Sequence, residues 1–380
     1  MTLDSIVISG TGLYTPPDAV SNDALVAAYN TWAETENAAN AAAITAGEKD
    51  AIPLSDTDFI EKASGIKNRY MMNGDGAIDP KLLKTQMSSL TDKDDLFGDI
   101  AQVHMSVEAA DQAMAKAGVT GADIDLVIFS SSLWERVVPS TAVVIQDKLG
   151  IKGHAYDMAV GCSSATFGMS NAFDAISTGL AKRVLVVTAE YVTPAMNYKD
   201  RDSHFIFGDA AVAMIVEKEE TANPRHAFRI KQRKLHTELS YNIRAGFGSR
   251  VLIDDPALLE SANLRFLQNG RTVFKELVPA VVELVQGELA KASMDVDAVR
   301  RMWLHQANIN MNGFATKKLI GEDPSDDRAP IILDEYANTA GAGCMIAFNK
   351  HSDDLKSGDM GVICSFGAGY SIGFILVEKV

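Results

Sequence analysis

Residues 157–168 read DMAVGCSSATFG, and the reading of this stretch decides the fold. Asp157 and Met158 close a strand-like run, Ala159, Val160 and Gly161 form a turn of small residues, and the chain then enters a helix carrying Phe167, Met169, Phe173 and Ile176. Cys162 therefore stands at a helix start. Free backbone N–H groups and the helix dipole there favour a thiolate, the species that attacks a thioester. A small buried core residue is the other reading of a Cys among Gly, Ser and Ala.

Working outward, Ser5–Ser9, Leu126–Ser131 and Val184–Ala189 read as strands, and Asp99–Ala117 and Thr141–Leu149 as amphipathic helices. This alternation indicates α/β layers. The second half repeats the theme with a helix over Thr272–Ser293, a strand at Met302–His305, a helix over Gly313–Ile320 and a terminal hairpin from Gly361 to Val380. The expectation is a duplicated body with halves at 1–218 and 219–380, divided at the charged, proline-containing Glu217–Pro224. Asn30–Ser55 and Met71–Lys93 stand outside this scheme as insertions. Each is read either as a helical excursion or surface loop, or as a segment covering a pocket or capping a dimer.

Composition narrows the function classes. With 380 residues and 47% hydrophobic content the chain buries a large core. Its net charge of -15 disfavours a nucleic-acid footprint, which needs clustered Lys and Arg. Cys162, Cys344 and Cys364 show neither CxxC nor Cys/His ligand spacing, so no disulfide framework or metal site is expected and a reducing cytoplasm fits. The opening MTLDSIVISG has no basic n-region and no apolar run reaches membrane-helix length, so neither secretion nor membrane insertion is expected.

Two further segments carry chemistry. Trp303–Asn308 places His305 at a strand end followed by polar residues, and Tyr336–Gly343 presents Asn338 in a small-residue turn before another helix. Each alone is a weak signal, since a lone histidine is more often structural. Taken together with the cysteine, the segments AVGCSSATFG, IFGDAAVAMIV (Ile206–Val216), HQAN (His305–Asn308), YANTAGAG and SFGAGYSIG (Ser365–Gly373) resemble the β-ketoacyl-acyl-carrier-protein synthase III family of the thiolase superfamily over nearly the whole chain.

The resemblance implies a thiolase-like α/β fold of duplicated, layered α-β-α-β-α halves. It implies an acyltransferase in which Cys162 takes a primer acyl group and condenses it with malonyl-acyl-carrier protein after loss of CO2. His305 and Asn338 would donate hydrogen bonds to the thioester oxygen. The backbone N–H of Cys162 and one from the Gly367–Ala368 turn would form a second oxyanion hole. No cofactor is implied beyond the CoA or phosphopantetheine thioesters that are the substrates. Partners would be an acyl-carrier protein, a primer on CoA or carrier protein, and a second copy of the chain in a homodimer.

By the same resemblance, Phe59, Ile60 and Arg201 line the entrance for the pantetheine arm, Arg271 and Phe274 a pocket-lining turn, Phe366 the space beside the sulfur, and Val138 the acyl channel of a dimer partner. Four positions depart from the family pattern. Ala63 and Asn310 replace arginines, Arg271 replaces an asparagine, and Val138 stands where a bulky aromatic limits primer length. Weaker CoA binding, a carrier-bound primer and a medium or long acyl chain are the expectations. Lys275, Lys317 and Lys318 are candidate carrier contacts, or simply a solvated helix face.

Other readings stay open. Non-decarboxylative condensation would need a base near Val138, for which Glu135 is the candidate; a secondary-metabolite ketosynthase would use the same fold; and a non-catalytic assembly partner would lack the need for Cys162.

Overall fold

The computed structural model describes residues 5–85, 100–245, 265–321, 325 and 327–380. Thirteen strands are assigned among them: β1 (Ile6–Tyr14), β2 (Asp18–Ser21), β3 (Asn68–Met71), β4 (Leu126–Ser130), β5 (His154–Met158), β6 (Arg183–Glu190), β7 (Ala210–Lys218), β8 (Phe228–Ser240), β9 (Ile243–Ala245), β10 (Phe266–Gln268), β11 (Val299–Leu304), β12 (Met360–Gly367) and β13 (Gly369–Lys379). The longer helices are α1 (Asn22–Ala39), α2 (Thr57–Ser64), α3 (Ala101–Ala117), α4 (Thr141–Lys148), α5 (Ser164–Ser177), α6 (Gly270–Lys291), α7 (Ile309–Ile320) and α8 (Gly343–Lys350).

Nine strands pair in the order β11-β12-β13-β8-β1-β7-β6-β4-β5, and the order contains the duplication. From β1 outward the pairings are antiparallel to β7, antiparallel to β6, then parallel to β4. From β8 outward they are antiparallel to β13, antiparallel to β12, then parallel to β11. The halves meet where Val7 pairs with Arg229 and Ile8 with Phe228. After β7 ends at Lys218, two short 3-10 turns lead into β8.

Strand alternation sorts the core into layers. Leu126 and Ile128 of β4 face a central cluster with Met169 of α5 and Met345 and Phe348 of α8, which Trp303 and Ile363 join from the other half. Their neighbours Val127 and Phe129 face α3. Met302, Leu304 and Val362 face α6. The result is helix, sheet, helix, sheet, helix, the layering expected from the sequence. Phe228, Trp303 and Phe348 meet edge to face, with the Trp303 and Phe348 centroids 4.8 Å apart, which fastens α8 to its sheet.

The insertions depart from expectation in outline. α1 runs through Asn30 to Ala39, so the first excursion leaves from within a helix whose cap, Ser21, accepts from Ala24 N–H. The segment that follows is tied back by Asn37 to Ile52, Asn30 to Ser55 and Tyr29 to the Pro53 carbonyl. Residues 86–93 of the second segment lie outside the described residues. No helix among the described residues is long and apolar enough to cross a membrane.

β1 lies directly on α3. A Cβ at Gly12 would sit 2.0 Å from the Ala109 carbonyl oxygen and one at Gly10 2.2 Å from that of Ala113. Gly12→Ala is therefore expected to destabilise the protein by about 1–3 kcal/mol through overpacking. A urea-unfolding midpoint equal to wild type would refute this contact.

Candidate active site

The nucleophile turn follows β5. Gly161 adopts φ +51°, a left-handed conformation that suits glycine, and the turn is tied by its own serines. Ser164 Oγ accepts from Val160 N–H at 3.0 Å and donates to the Gly161 carbonyl at 2.7 Å, while the Ser163 hydroxyl bonds the Ser371 carbonyl and hydroxyl on β13. Asp157 caps α4 by accepting from Thr141 and Ala142 N–H, each at 2.7 Å. The small residues of DMAVGCSSATFG thus serve as fasteners as well as space savers.

The terminal hairpin packs on the Cys162 sulfur, and the Asn338 turn packs on the turn that carries it. A Cβ at Gly367 would lie 2.9 Å from Sγ, and one at Gly341 would lie 3.4 Å from both the Gly161 carbonyl and Ser164, so the terminal hairpin and the Asn338 turn both press on the nucleophile turn. His305, at the end of β11, donates its backbone N–H to the Cys364 carbonyl at 2.8 Å and packs edge-on against Phe366, with centroids 5.3 Å apart. Gly343 packs on Gln306 beside it. Cys162 follows β5 in one half, and Asn338 precedes α8, the counterpart of α5, in the other.

Asn338 is oriented unambiguously. Ala340 N–H donates to its side chain at 2.9 Å, and since an N–H only donates, the acceptor is Oδ1 and the amide NH2 is left to donate elsewhere. The turn stores strain on both sides: Ala337 has φ +57° and Ala340 φ +44°, conformations non-glycine residues rarely adopt.

The electrostatics revise one expectation. Burial, then the nearby Glu190 carboxylate, push the Cys162 thiol up to about 12, outweighing hydrogen bonds from the Ala368 and Cys162 N–H groups. The resting group is a thiol. Of the hairpin's N–H groups, that of Ala368 is the one that reaches the sulfur, while Gly367 provides room. Burial lowers His305 to about 4, and its Nδ1 is buried without a hydrogen-bond partner, so the imidazole is neutral at pH 7.

The predicted entrance residues separate. Arg201 lies over the Phe59 ring at 4.0 Å and donates Nε–H to the Leu54 carbonyl at 2.7 Å, so these two do form one face. Ile60 is instead fully buried in the core beneath them. Asn310 and Ala63, two of the departures, meet directly: the Asn310 amide donates to the Ala63 and Lys62 carbonyls at 3.2 and 3.3 Å. Gly270–Phe274 forms the first turn of α6, because Asn269 caps Thr272 N–H and starts the helix two residues before the expected Thr272. Arg271 is accordingly exposed, and Phe274 packs on Phe314 of α7. Val138 is 78% exposed on the loop after β4.

Glu135 is occupied. Its carboxylate accepts from Gln102 N–H at 2.6 Å and so caps α3, which has no capping side chain at Ile100. Sequence reading passed over Glu190. The signal available was an acid directly ending the apolar run Val184–Ala189, which the structure buries fully.

This duplicated five-layer body, with the cysteine turn packed between the terminal hairpin and the asparagine turn, is the thiolase fold. A solved priming β-ketosynthase from the R1128 polyketide pathway shares it, with a TM-score of 0.76 at 22% identity over 100% of this chain and 99% of that one. The family model for 3-oxoacyl-[acyl-carrier-protein] synthase III matches residues 156–236, and the model for its C-terminal part matches 289–379. A β-ketodecanoyl-[acyl-carrier-protein] synthase of Pseudomonas aeruginosa is 46% identical over 92% of this chain and 99% of its own length. A β-ketoacyl-[acyl-carrier-protein] synthase III of Granulibacter bethesdensis is 28% identical over 98% of both. The chain belongs to the β-ketoacyl-acyl-carrier-protein synthase III family.

Because burial alone holds His305 at about 4, its NMR titration is expected to show a neutral ring down to pH 5 and an imidazolium only near and below pH 4. A midpoint near 6.5 would show that the ring is solvated.

Proposed function

We propose that the protein is a β-ketoacyl-acyl-carrier-protein synthase that joins a medium-chain primer to malonyl-acyl-carrier protein. The observation that carries this reading is the terminal hairpin packed on the Cys162 sulfur, with the Ala368 and Cys162 N–H groups directed at it and the Asn338 turn set against the same Cys162 turn.

In the first half-reaction the sulfur attacks the primer carbonyl while its proton passes to the departing thiolate. The two N–H groups stabilise the oxyanion, and the carrier thiol leaves. In the second, malonyl loses CO2, and its thioester oxygen takes up negative charge opposite His305 Nε2–H and the Asn338 amide. A neutral imidazole is the form that suits this, since it donates one hydrogen bond without contributing a proton for the enolate to quench. The enolate carbon attacks the acyl-enzyme carbonyl and expels Cys162 sulfur, leaving a β-ketoacyl thioester. Loss of CO2 supplies the carbon nucleophile, so the sequence as written calls for no electron carrier.

The relative's name supports the primer length: a β-ketodecanoyl product contains two carbons from malonyl, so its primer is octanoyl. The small side chain of Val138 is consistent with that, as is the cavity of about 440 Å³ beside Gly161 and Ala368, on whose wall Leu239 is exposed. Exposure of Trp134, Val137 and Val138 on one loop supports a homodimer in which the partner covers it. We place the enzyme in the cytoplasm. Non-decarboxylative condensation is disfavoured, because Glu135 is held by the α3 N-terminus and is not free to act as base.

Incubation with malonyl-carrier protein and acetyl, octanoyl or palmitoyl primers, read by product mass, is expected to give mainly β-ketodecanoyl product, and exclusive use of acetyl would sink the primer assignment. Cys162→Ala should abolish acyl-enzyme formation. Asn338→Ala should load acyl groups normally yet condense roughly 10²–10³ slower, the loss typical of one oxyanion donor. Equal slowing of loading and condensation would remove Asn338 from the decarboxylation step.

A further inference from the structure

The mechanism above leaves Glu190 unused. Its side chain is fully buried at the end of β6, and four donors converge on the carboxylate: Ser132 N–H at 3.0 Å, Ser132 Oγ at 2.9 Å, Ser131 Oγ at 3.1 Å and Gly341 N–H at 3.0 Å. A Cβ at Gly341 would lie 2.6 Å from Oε1, so glycine is what lets the Asn338 turn approach. Gln102 of α3 braces the arrangement by donating to the Leu133 and Ala189 carbonyls at 2.7 and 2.9 Å.

Three segments thus meet on one carboxylate: the root of the loop leading to Val138, the end of β6 and the turn of Asn338. The groups facing it are identifiable element by element. β4 and its following loop bring the neutral Ser131 and Ser132, α3 the neutral Gln102, and the Asn338 turn a backbone N–H; the titratable group is the Cys162 thiol from the nucleophile turn. Cys344 on α8 also faces that thiol.

We propose that Glu190 is a positioning residue for condensation, whose carboxylate sets the Asn338 turn against the Cys162 turn. This rests on Cys162 being the nucleophile. The task needs both the reach of the side chain and its capacity to accept from Ser132 and Gly341 at once, and substitutions separate the two. Burial raises Glu190 to about 7, so its charge is present above that pH and the comparison belongs there.

The experiment follows alkylation of Cys162 by iodoacetamide across pH, by peptide mass, beside acyl loading and condensation with octanoyl primer. Glu190→Gln removes the charge at similar size. Its amide NH2 cannot accept, so it holds Ser132 and Gly341 less well, and condensation is expected to fall about tenfold while acyl loading and Cys162 labelling at pH 8 hold. Glu190→Asp keeps the charge but shortens the reach. Its alkylation profile should overlay wild type while condensation falls about tenfold and loading holds, the loss of roughly one hydrogen bond in the transition state.

Glu190→Gln or Glu190→Asp condensing at the wild-type rate, or slowing loading as much as condensation, overturns the proposal. Should Glu190→Gln fail to fold, judged by its thermal melt, Glu190→Asp decides alone. Wild-type enzyme that still condenses after complete Cys162 alkylation would instead sink the nucleophile assignment, an outcome visible without any Glu190 variant.

Discussion

Helices α5 and α8 share one layer between the two halves, and their burial there fixes where the functional atoms lie. Both are covered by sheet on two sides, with Met169, Ala172, Met345 and Phe348 in a single cluster, so a shift of either helix would open space on both faces at once. The turn that leads into α5 carries Cys162, and the turn that leads into α8 carries Asn338. Duplication therefore has a chemical consequence. The same strand-turn-helix unit, used twice and packed face to face, brings the helix entrance that carries Cys162 against the one that carries Asn338.

Packing at that density decides the electrostatics. A thiol at a helix entrance gains from the dipole and from two N–H groups, each a modest effect, but it loses a larger amount when water is excluded and a carboxylate lies nearby. The balance favours the neutral thiol, just as burial without a charged partner favours the neutral imidazole of His305. Both reacting groups are thus uncharged at rest. The charge the structure places nearby is the Glu190 carboxylate, held by Ser131, Ser132 and Gly341.

The sequence revealed most where local pattern and tertiary role coincide. Strands β4 and β6 are buried on both faces and read as continuous apolar runs, and the Cys162, His305 and Asn338 segments sit at element ends where small residues and polar residues are conspicuous. It revealed less where the role depends on a distant partner. Glu190 looks like an ordinary strand-terminal acid until Gly341, 151 positions away, donates to it. Glu135 has the composition of a base and the contacts of a helix cap. Ile60 points inward because α2 has one apolar face and the core claims it, a choice between adjacent residues that spacing alone does not make. The start of α6 was misplaced because Asn269 supplies a cap that makes Gly270 helical despite its weak propensity and brings Arg271 into the first turn.

The entrance shows how substitutions that look separate in sequence act as one in space. Ala63 ends the exposed face of α2, and Asn310 begins α7, 247 positions later, yet the Asn310 amide donates to the Ala63 carbonyl and Asn308 donates to the same oxygen. Two arginines at these positions would repel one another across so short a gap, whereas a methyl group and an amide close it with neutral hydrogen bonds. With that pair gone, Arg201 is a cation that remains at the entrance, and it is not left to its own flexibility. The Leu54 carbonyl, on the segment tied to α1 by Asn30, Asn37 and Tyr29, holds its Nε–H and sets the guanidinium over Phe59. The first insertion thereby fixes a long, flexible cation in one position over an aromatic face.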